Sequence, residues 1–190
     1  MTTWHWVRHG PTHQKAFTGW RDVGADLGDT SAIARLAAYL PRDALVISSD
    51  LTRSVETATA LQQDRHRLSH DPALREFHFG VWDGVHFSTV AEWHPEVSRA
   101  YWETPGDVTP PGGESWNTSA ARVAMAVRRI EAAHPGRDII AVAHFGVILT
   151  QVQAVLGITA QDVLAHTIDP LSVTRLNRAT GQAEVINHRP

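Results

Sequence analysis

Four side chains stand where apolar runs give way to polar residues. Arg8 and His9 close the run Val7-Arg8-His9-Gly10, Arg53 closes Ser48-Ser49-Asp50-Leu51-Thr52-Arg53, and His144 opens Ala143-His144-Phe145-Gly146. Two guanidiniums keep their charge at any physiological pH and present planar arrays of donors, while each imidazole offers a nucleophilic or acid–base nitrogen. Brought to one place, the four would make an anion site of phosphate size. Each cluster alone is a weak signal. An Arg-His-Gly triplet arises readily by chance in a chain with sixteen Arg and twelve His, a single helix arginine is usually a surface residue, and a histidine after a buried strand simply needs a partner. Their joint occurrence at three equivalent positions gives the pattern its weight.

The elements that must deliver these residues follow from periodicity. Thr2–Val7 reads as a strand, with Trp4 and Trp6 on one face and His5 and Val7 on the other. Ala44–Ile47 and Ile139–Val142 are continuous apolar runs, as expected of strands buried on both faces. Weaker strands around Ser172–Leu176 and Ala183–Asn187 flank a turn at Gly181. Between them, Ile33, Leu36, Ala37 and Leu40 share one helical face that stops before Pro41, and Leu51, Val55, Ala58 and Leu61 repeat at helical spacing. Trp116, Ala120, Val123, Val127 and Ile130 lay one stripe on a longer helix, and a further helix spans Gly146–Leu156. This alternation predicts an α/β domain. In an open α/β sheet, ligands bind beyond the carboxyl ends of the strands. Three parallel strands would therefore deliver Arg8, His9, Arg53 and His144 to one crevice, with helix N-termini behind them. The Pro- and Gly-rich stretch Thr104–Gly113 reads as a loop within one domain, because neither side is large enough to build its own core.

Composition narrows the function classes. A chain of 190 residues suits one domain, and twenty acidic against seventeen basic residues argue against bulk attraction to nucleic acid or an anionic membrane. No apolar run approaches the roughly 18 residues that span a bilayer, and MTTWHWVRHG lacks the pattern of a secretory signal, so a cytoplasmic protein is expected. The absence of cysteine excludes disulfides, Fe–S clusters, thiolate zinc sites and a cysteine nucleophile. Any nucleophilic chemistry falls to His, Ser, Thr or a carboxylate. The Trp-rich first strand could face a helix or a partner copy, which leaves a homodimer open.

Five ordered segments carry a family resemblance. They are Arg8-His9-Gly10-Pro11-Thr12 with the following Phe17-Thr18-Gly19-Trp20-Arg21-Asp22, then Ser48-Ser49-Asp50-Leu51-Thr52-Arg53-Ser54-Val55-Glu56-Thr57-Ala58, Leu74-Arg75-Glu76-Phe77-His78-Phe79-Gly80-Val81-Trp82-Asp83-Gly84, and Pro111-Gly112-Gly113-Glu114-Ser115 with Arg122 seven residues on. In these motifs the chain resembles the histidine phosphatase superfamily, the branch that includes cofactor-dependent phosphoglycerate mutases and small phosphoesterases. The resemblance implies a three-layer fold with a mostly parallel central sheet and helices on both faces. It implies one domain over 1–190 with a cap region at about 74–115.

It also implies that His9 is the nucleophile, transiently phosphorylated, with its other ring nitrogen held by a backbone carbonyl near the strand end. Arg8, Arg53 and a protonated His144 would neutralise the oxygens of the transferring phosphoryl group, chemistry that rests on positioning and electrostatics. One carboxyl group can protonate the leaving alkoxide and then deprotonate water. Glu76, within the Glu-x-x-x-Gly-x-Trp element, is the choice over Asp22, Asp83 and Glu114, the last of which suits the first turn of a helix. No carboxylate cluster suggests a metal site, and neither a metal nor another cofactor is expected. His5, His9 and His13 recur every four residues, but Gly10 and Pro11 break the helix that zinc ligation at this spacing needs.

The match departs from the family in two places. Lys15 stands where the family usually has an Asn, with a shortened segment after it that puts Thr18 and Trp20 in doubt as pocket residues, and Phe145 replaces the first glycine of the usual His-Gly-Gly. Trp82 and Trp116 fall in motifs near the pocket mouth, with packing as their expected role. The leading expectation is a metal-independent phosphomonoesterase acting on a small phosphorylated metabolite through phosphohistidine. The alternatives are a phosphoglycerate mutase-type phosphotransferase and a non-catalytic phosphate-binding protein on the same fold. A mutase would line its cap with cations for a second phosphate, and between Gly84 and Ser115 this chain offers Arg99 and two histidines.

Overall fold

The computed structural model describes residues 2–190. Five strands, β1 (Thr3–Arg8), β2 (Leu45–Ser48), β3 (Ile139–Ala143), β4 (Val173–Asn177) and β5 (Gln182–His188), form one sheet in the order β2-β3-β1-β4-β5. β2, β3 and β1 pair in parallel; β4 runs antiparallel to β1, and β5 antiparallel to β4. β2 and β3 are buried at every residue, which is why they read as unbroken apolar runs. β5, at the sheet edge, carries no fully buried residue, so its sequence signal is weak.

Helices cover both faces. On one, α1 (Thr30–Tyr39) and α2 (Thr52–Gln62) bring Ile33, Leu36, Leu40 and Leu61 to Val7, Val46, Ile140 and Val142. On the other, α5 (Trp116–Ala133) and α6 (Phe145–Leu156) bring Val123, Val127, Ile148 and Val152 to Trp4, Trp6, Ile47, Ile139 and Ala141. The expected three-layer α/β arrangement follows directly from this two-sided burial. Trp4 and Trp6 are fully buried and stacked with ring centroids 4.9 Å apart, and the Trp4 indole N–H donates to Glu131 of α5 at 2.8 Å. The first strand therefore faces its own helix layer rather than a partner copy.

Two helices escaped the periodicity. α3 (Phe87–Trp93) and α4 (Pro95–Glu103) lie in the cap region and bury only Val90, and Ser98 with Tyr101, respectively. A helix with one or two inward residues has no stripe to detect. The short α7 (Ala160–Val163) follows α6 and is fixed by reciprocal bonds between Thr159 and Asp162. Among the described residues, no helix is long and apolar enough to cross a membrane.

His5 is buried in β1, and neither ring nitrogen has a hydrogen-bond partner. Burial lowers its pKa from 6.5 to about 4, with Arg175 and Arg65 adding to the shift against Asp138 and Glu184. The unfolded chain thus binds more protons than the folded one between pH 6.5 and 4. Stability contributed by neutral His5 is full above that window and is lost as pH falls through it, by about 3 kcal/mol. Chemical denaturation of wild type and His5→Leu across pH 7 to 4 should show the variant losing about 3 kcal/mol less than wild type. Parallel curves would refute the assignment.

Candidate active site

The carboxyl ends of β1, β2 and β3 meet at one cleft of about 280 Å³, whose lining includes Arg8, His9, Arg53 and Glu76. His9 follows β1 directly. Its Nδ1 lies 2.7 Å from the carbonyl oxygen of Gly10, which can only accept, so Nδ1 carries the proton and Nε2 keeps its lone pair. Burial, then the charge of Arg53, lowers the His9 pKa to about 3, with the Gly10 carbonyl pulling the other way and Arg8 adding to the depression. The ring is a neutral base. The Gly10 N–H donates to Thr57 of α2 at 2.9 Å, and Thr57 donates in turn to the Arg53 carbonyl at 2.7 Å, tying the His9 loop to the helix that carries Arg53. Gly10 is required here, since a Cβ would stand 2.8 Å from Leu27 and 3.0 Å from the Asp26 carbonyl.

The two guanidiniums are held by carbonyls on one edge, which leaves the other free. Arg8 Nη1 donates to Ile168 O at 2.6 Å; Arg53 donates to Gly19 O at 2.7 Å and Arg21 O at 3.1 Å. The Nε of each is buried without a partner. Burial lowers both from the ordinary guanidinium value while Glu76 opposes it, and both remain cations. Arg53 lies in the first turn of α2, fully buried despite being a helix arginine.

His144 ends β3 and precedes α6. It is fully buried and does not line the cleft itself; its ring stands 5.1 Å from that of His9, centroid to centroid. Nε2 lies 2.7 Å from the Ser49 hydroxyl and 3.3 Å from that of Ser54, and Nδ1 has no partner. Burial first, then Arg53 and His9, depress its pKa well below the ordinary value. The depression favours the neutral ring, and the protonated His144 expected from the sequence needs the counter-charge of an anion beside the two guanidiniums.

Glu76 faces the same cleft, buried, with its carboxylate oxygens accepting the N–H groups of Phe77 at 3.0 Å and Gly146 at 3.2 Å. Burial raises its pKa above the ordinary carboxylate value, against those two bonds and the charges of Arg53 and Arg8. Its backbone is clamped: Trp20 Nε1 donates to the Glu76 carbonyl at 2.7 Å and Arg122 does so at 3.2 Å, while Arg122 also holds the carbonyls of Ala73 and Arg75. The rival acids are engaged elsewhere. Asp22 accepts from the Thr52 N–H and hydroxyl at the start of α2, and Asp83 from the N–H groups of Gly19 and Arg21. Glu114 pairs with Arg122 at 2.7 Å; burial alone would raise it, but that ion pair and the His78 and Ser119 donors hold it below the ordinary value.

The helix N-termini behave differently from the expectation of a free positive end behind the anion. Asp22 occupies that of α2, and Glu76 itself takes an N–H from the first turn of α6. Gly146 is what permits the latter, since a Cβ there would stand 2.7 Å from Glu76 Oε1. Gly146→Ala should displace the carboxyl group and cut kcat/KM on a phosphomonoester about 10- to 100-fold, as misplacement of this order does. A melting temperature within a few degrees of wild type would locate the loss in the site; full activity would show that the carboxyl position does not matter.

Residues in doubt from the sequence also resolve. Phe145 and Thr18 line the cleft, and the Arg8 guanidinium lies 5.5 Å from the Phe145 ring centroid. Lys15 is exposed and outside the lining, while Trp20 supports Glu76 and packs under Arg75. Trp82 and Trp116 are core residues; the tryptophan in the cleft wall is Trp102, with Phe17, Phe79 and Phe87 beside it. Sequence reasoning missed this aromatic wall, together with Thr12 and Gln14. Thr12, Phe17 and Phe79 stand inside the family motifs, whereas Phe87 and Trp102 lie outside them with no common period. Among the described residues, no group of three or more His, Asp or Glu side chains stands close enough to hold a metal ion.

Comparison with known proteins fits this geometry. The sequence model of the histidine phosphatase superfamily (branch 1) matches residues 5–189. A bifunctional protein of Mycobacterium tuberculosis is 36% identical over 145 residues, 73% of this chain, and the chain spans about 40% of the length of that relative. The glucosyl-3-phosphoglycerate phosphatase of Mycolicibacterium vanbaalenii is 33% identical over 165 residues, covering 80% of this chain and 73% of its own length. The solved structure of a mycobacterial glucosyl-3-phosphoglycerate phosphatase superposes with a TM-score of 0.79 at 27% identity, over 92% of this chain and 89% of that one.

Proposed function

Because the chain belongs to the histidine phosphatase superfamily (branch 1), we propose that it is a phosphomonoesterase working through a phosphohistidine, with His9 as nucleophile and Glu76 as acid and then base. The observation that carries this reading is the opposed tuning of two buried groups in one cleft. His9 is kept neutral with Nε2 free, and Glu76 is pushed toward its protonated form. Pairs of titratable groups driven apart in this way divide acid and base roles. The Nε2 lone pair attacks phosphorus, the ester P–O bond breaks, and the departing alkoxide takes the Glu76 proton. Ionised Glu76 then takes a proton from water, the resulting hydroxide attacks phosphorus, and the P–N bond breaks to release phosphate and restore His9. Arg8 and Arg53 offer their unpartnered Nε–H groups to the phosphoryl oxygens, and the unpartnered His144 Nδ1 gains a proton once a dianion supplies its counter-charge.

Residues 1–190 form, in this reading, one catalytic domain with 74–115 as the cap over the cleft. Between residues 85 and 114 the chain carries Glu92, Glu96, Glu103, Asp107 and Glu114 against Arg99 alone. Beyond Arg8 and Arg53, the residues that line the cleft and the cavity beside it include Arg99 as their one cation, fewer than a second phosphate needs, which favours hydrolysis over mutase-type transfer. The test is phosphate release from p-nitrophenyl phosphate in excess chelator, with a denaturing alkaline quench during turnover to look for phosphate bound to the protein through a bond that survives alkali and is lost in acid. Release without added metal and a labile phosphoprotein are expected. Complete dependence on a divalent cation overturns the mechanism.

A further inference from the structure

Opposite the phosphate-facing residues, the cleft wall is aromatic, and the same wall bounds a second cavity of about 350 Å³. Phe17, Phe87 and Trp102 line both spaces. The outer cavity continues over Val90, Ala91 and Pro95 of the cap, with exposed Arg99 as its one charged lining residue. Phe17 is buried and acts as the hinge of the cluster. It packs edge-on to Phe87 at 4.6 Å and stacks near-parallel to Trp102 at 6.1 Å, 20° between planes. Phe87 and Trp102, which line both spaces, remain 51% and 43% exposed. Leaving two large rings half in water beside a polar site is unfavourable unless something apolar covers them during function.

We propose that this aromatic wall and the outer cavity form the leaving-group subsite, and that the substrate class is phosphomonoesters of apolar aryl or extended alkyl alcohols. Three features select that occupant. Phe17, Phe87 and Trp102 line the cleft that holds His9 and Glu76 as well as the outer cavity, so a group bonded to the scissile oxygen meets these rings beside the reacting atoms. The walls of the outer cavity are aromatic and aliphatic, suited to ring stacking and apolar burial. Its one charged lining residue, Arg99, is exposed, so the groove holds no buried counter-charge for a leaving group bearing a carboxylate or second phosphate. The proposal rests on the phosphomonoesterase reading for its turnover, while its binding component stands apart from it.

The experiment compares 2-phenylethyl phosphate with ethyl phosphate, whose leaving alkoxides have similar basicity, so a difference reports binding of the ring. Wild type should favour the phenylethyl ester at least about tenfold in kcat/KM, the discrimination a well-formed apolar pocket supplies. Trp102→Ala and Phe87→Ala should each reduce that ratio to about threefold or less, chiefly through KM for the phenylethyl ester. Calorimetry with the non-hydrolysable 2-phenylethylphosphonate and ethylphosphonate provides the arm independent of turnover, with the same preference and the same losses expected. Hydrolysis of both esters at equal efficiency overturns the subsite and leaves the phosphomonoesterase reading intact. Phosphonate preference without hydrolysis of either ester does the reverse. Absence of any phosphonate preference, with a sedimenting dimer that Trp102→Ala dissociates, overturns the proposal in favour of a second copy of the chain as the occupant.

Discussion

His9→Ala is expected to abolish turnover, lowering kcat on p-nitrophenyl phosphate by about four orders of magnitude or more, as removal of a covalent nucleophile does elsewhere. No other side chain can take over. The His144 ring is 5.1 Å away, centroid to centroid, but fully buried and in hydrogen-bond range of Ser49 and Ser54. The cleft lining otherwise offers guanidiniums, hydroxyls, an amide, aromatic rings and the Glu76 carboxyl group, whose oxygens are engaged by the N–H groups of Phe77 and Gly146. The acid-labile phosphoprotein trapped by alkaline quench should disappear with the activity. The fold should survive, because deleting a buried imidazole whose pKa is already lowered to about 3 removes a poorly solvated polar group along with its contacts. An unchanged circular dichroism spectrum and melting transition would establish that. A variant retaining a tenth of wild-type kcat would assign the nucleophile elsewhere.

Glu76→Gln should show the second-largest effect, one that depends on the leaving group. An alkoxide needs a proton in the transition state and p-nitrophenolate hardly does, so the variant should lose about 10²- to 10⁴-fold on an alkyl phosphate and far less on the aryl ester's phosphorylation step. The pH profile separates this role from a structural one. Burial raises Glu76 above the ordinary carboxylate value, so its proton is present at acidic pH and is lost as pH rises through the folded pKa. Activity toward alkyl phosphates should therefore fall on the alkaline side in wild type, and that limb should be missing from the residual activity of Glu76→Gln. His9, with a pKa of about 3, stays a free base throughout this range and contributes no limb above it. Equal slowing of both ester classes, or an alkaline limb preserved in the variant, would remove Glu76 from the chemistry.

Much of this architecture was legible before folding. The runs around β2 and β3 announced themselves because strands buried on both faces tolerate nothing polar until they end, and the polar residues at their ends are the ones that reach the cleft. Trp4 and Trp6 against His5 and Val7 displayed the two faces of β1 by simple alternation. The cap helices α3 and α4 did not show, since each turns only one or two side chains inward. Protonation states were also beyond reach. Depth of burial drives His144 toward its neutral form and raises Glu76, with neighbouring charges adding to the first shift and opposing the second, and one of those charges, Arg8, lies 136 positions from His144.

The sequence by itself determined which chemical groups are available and along which strand ends they lie: Arg8, His9, Arg53 and His144, with no thiol to compete. Local periodicity decides this, because strand and helix registers are short-range and place a residue at an element's end irrespective of what it meets there. The motif singled out Glu76 among four carboxyl groups, and tertiary structure supplies the physical reason it shares the cleft with His9. Asp22, Asp83 and Glu114 are spent on backbone amides and Arg122, whereas Glu76 is set in the cleft by Trp20 and Arg122 and admitted by Gly146. Tertiary structure alone decided that Phe17, Phe87 and Trp102, distant in the chain and without a shared period, close on one another as a single apolar wall. Such convergence comes from packing the cap onto the sheet, a long-range event that no local pattern encodes.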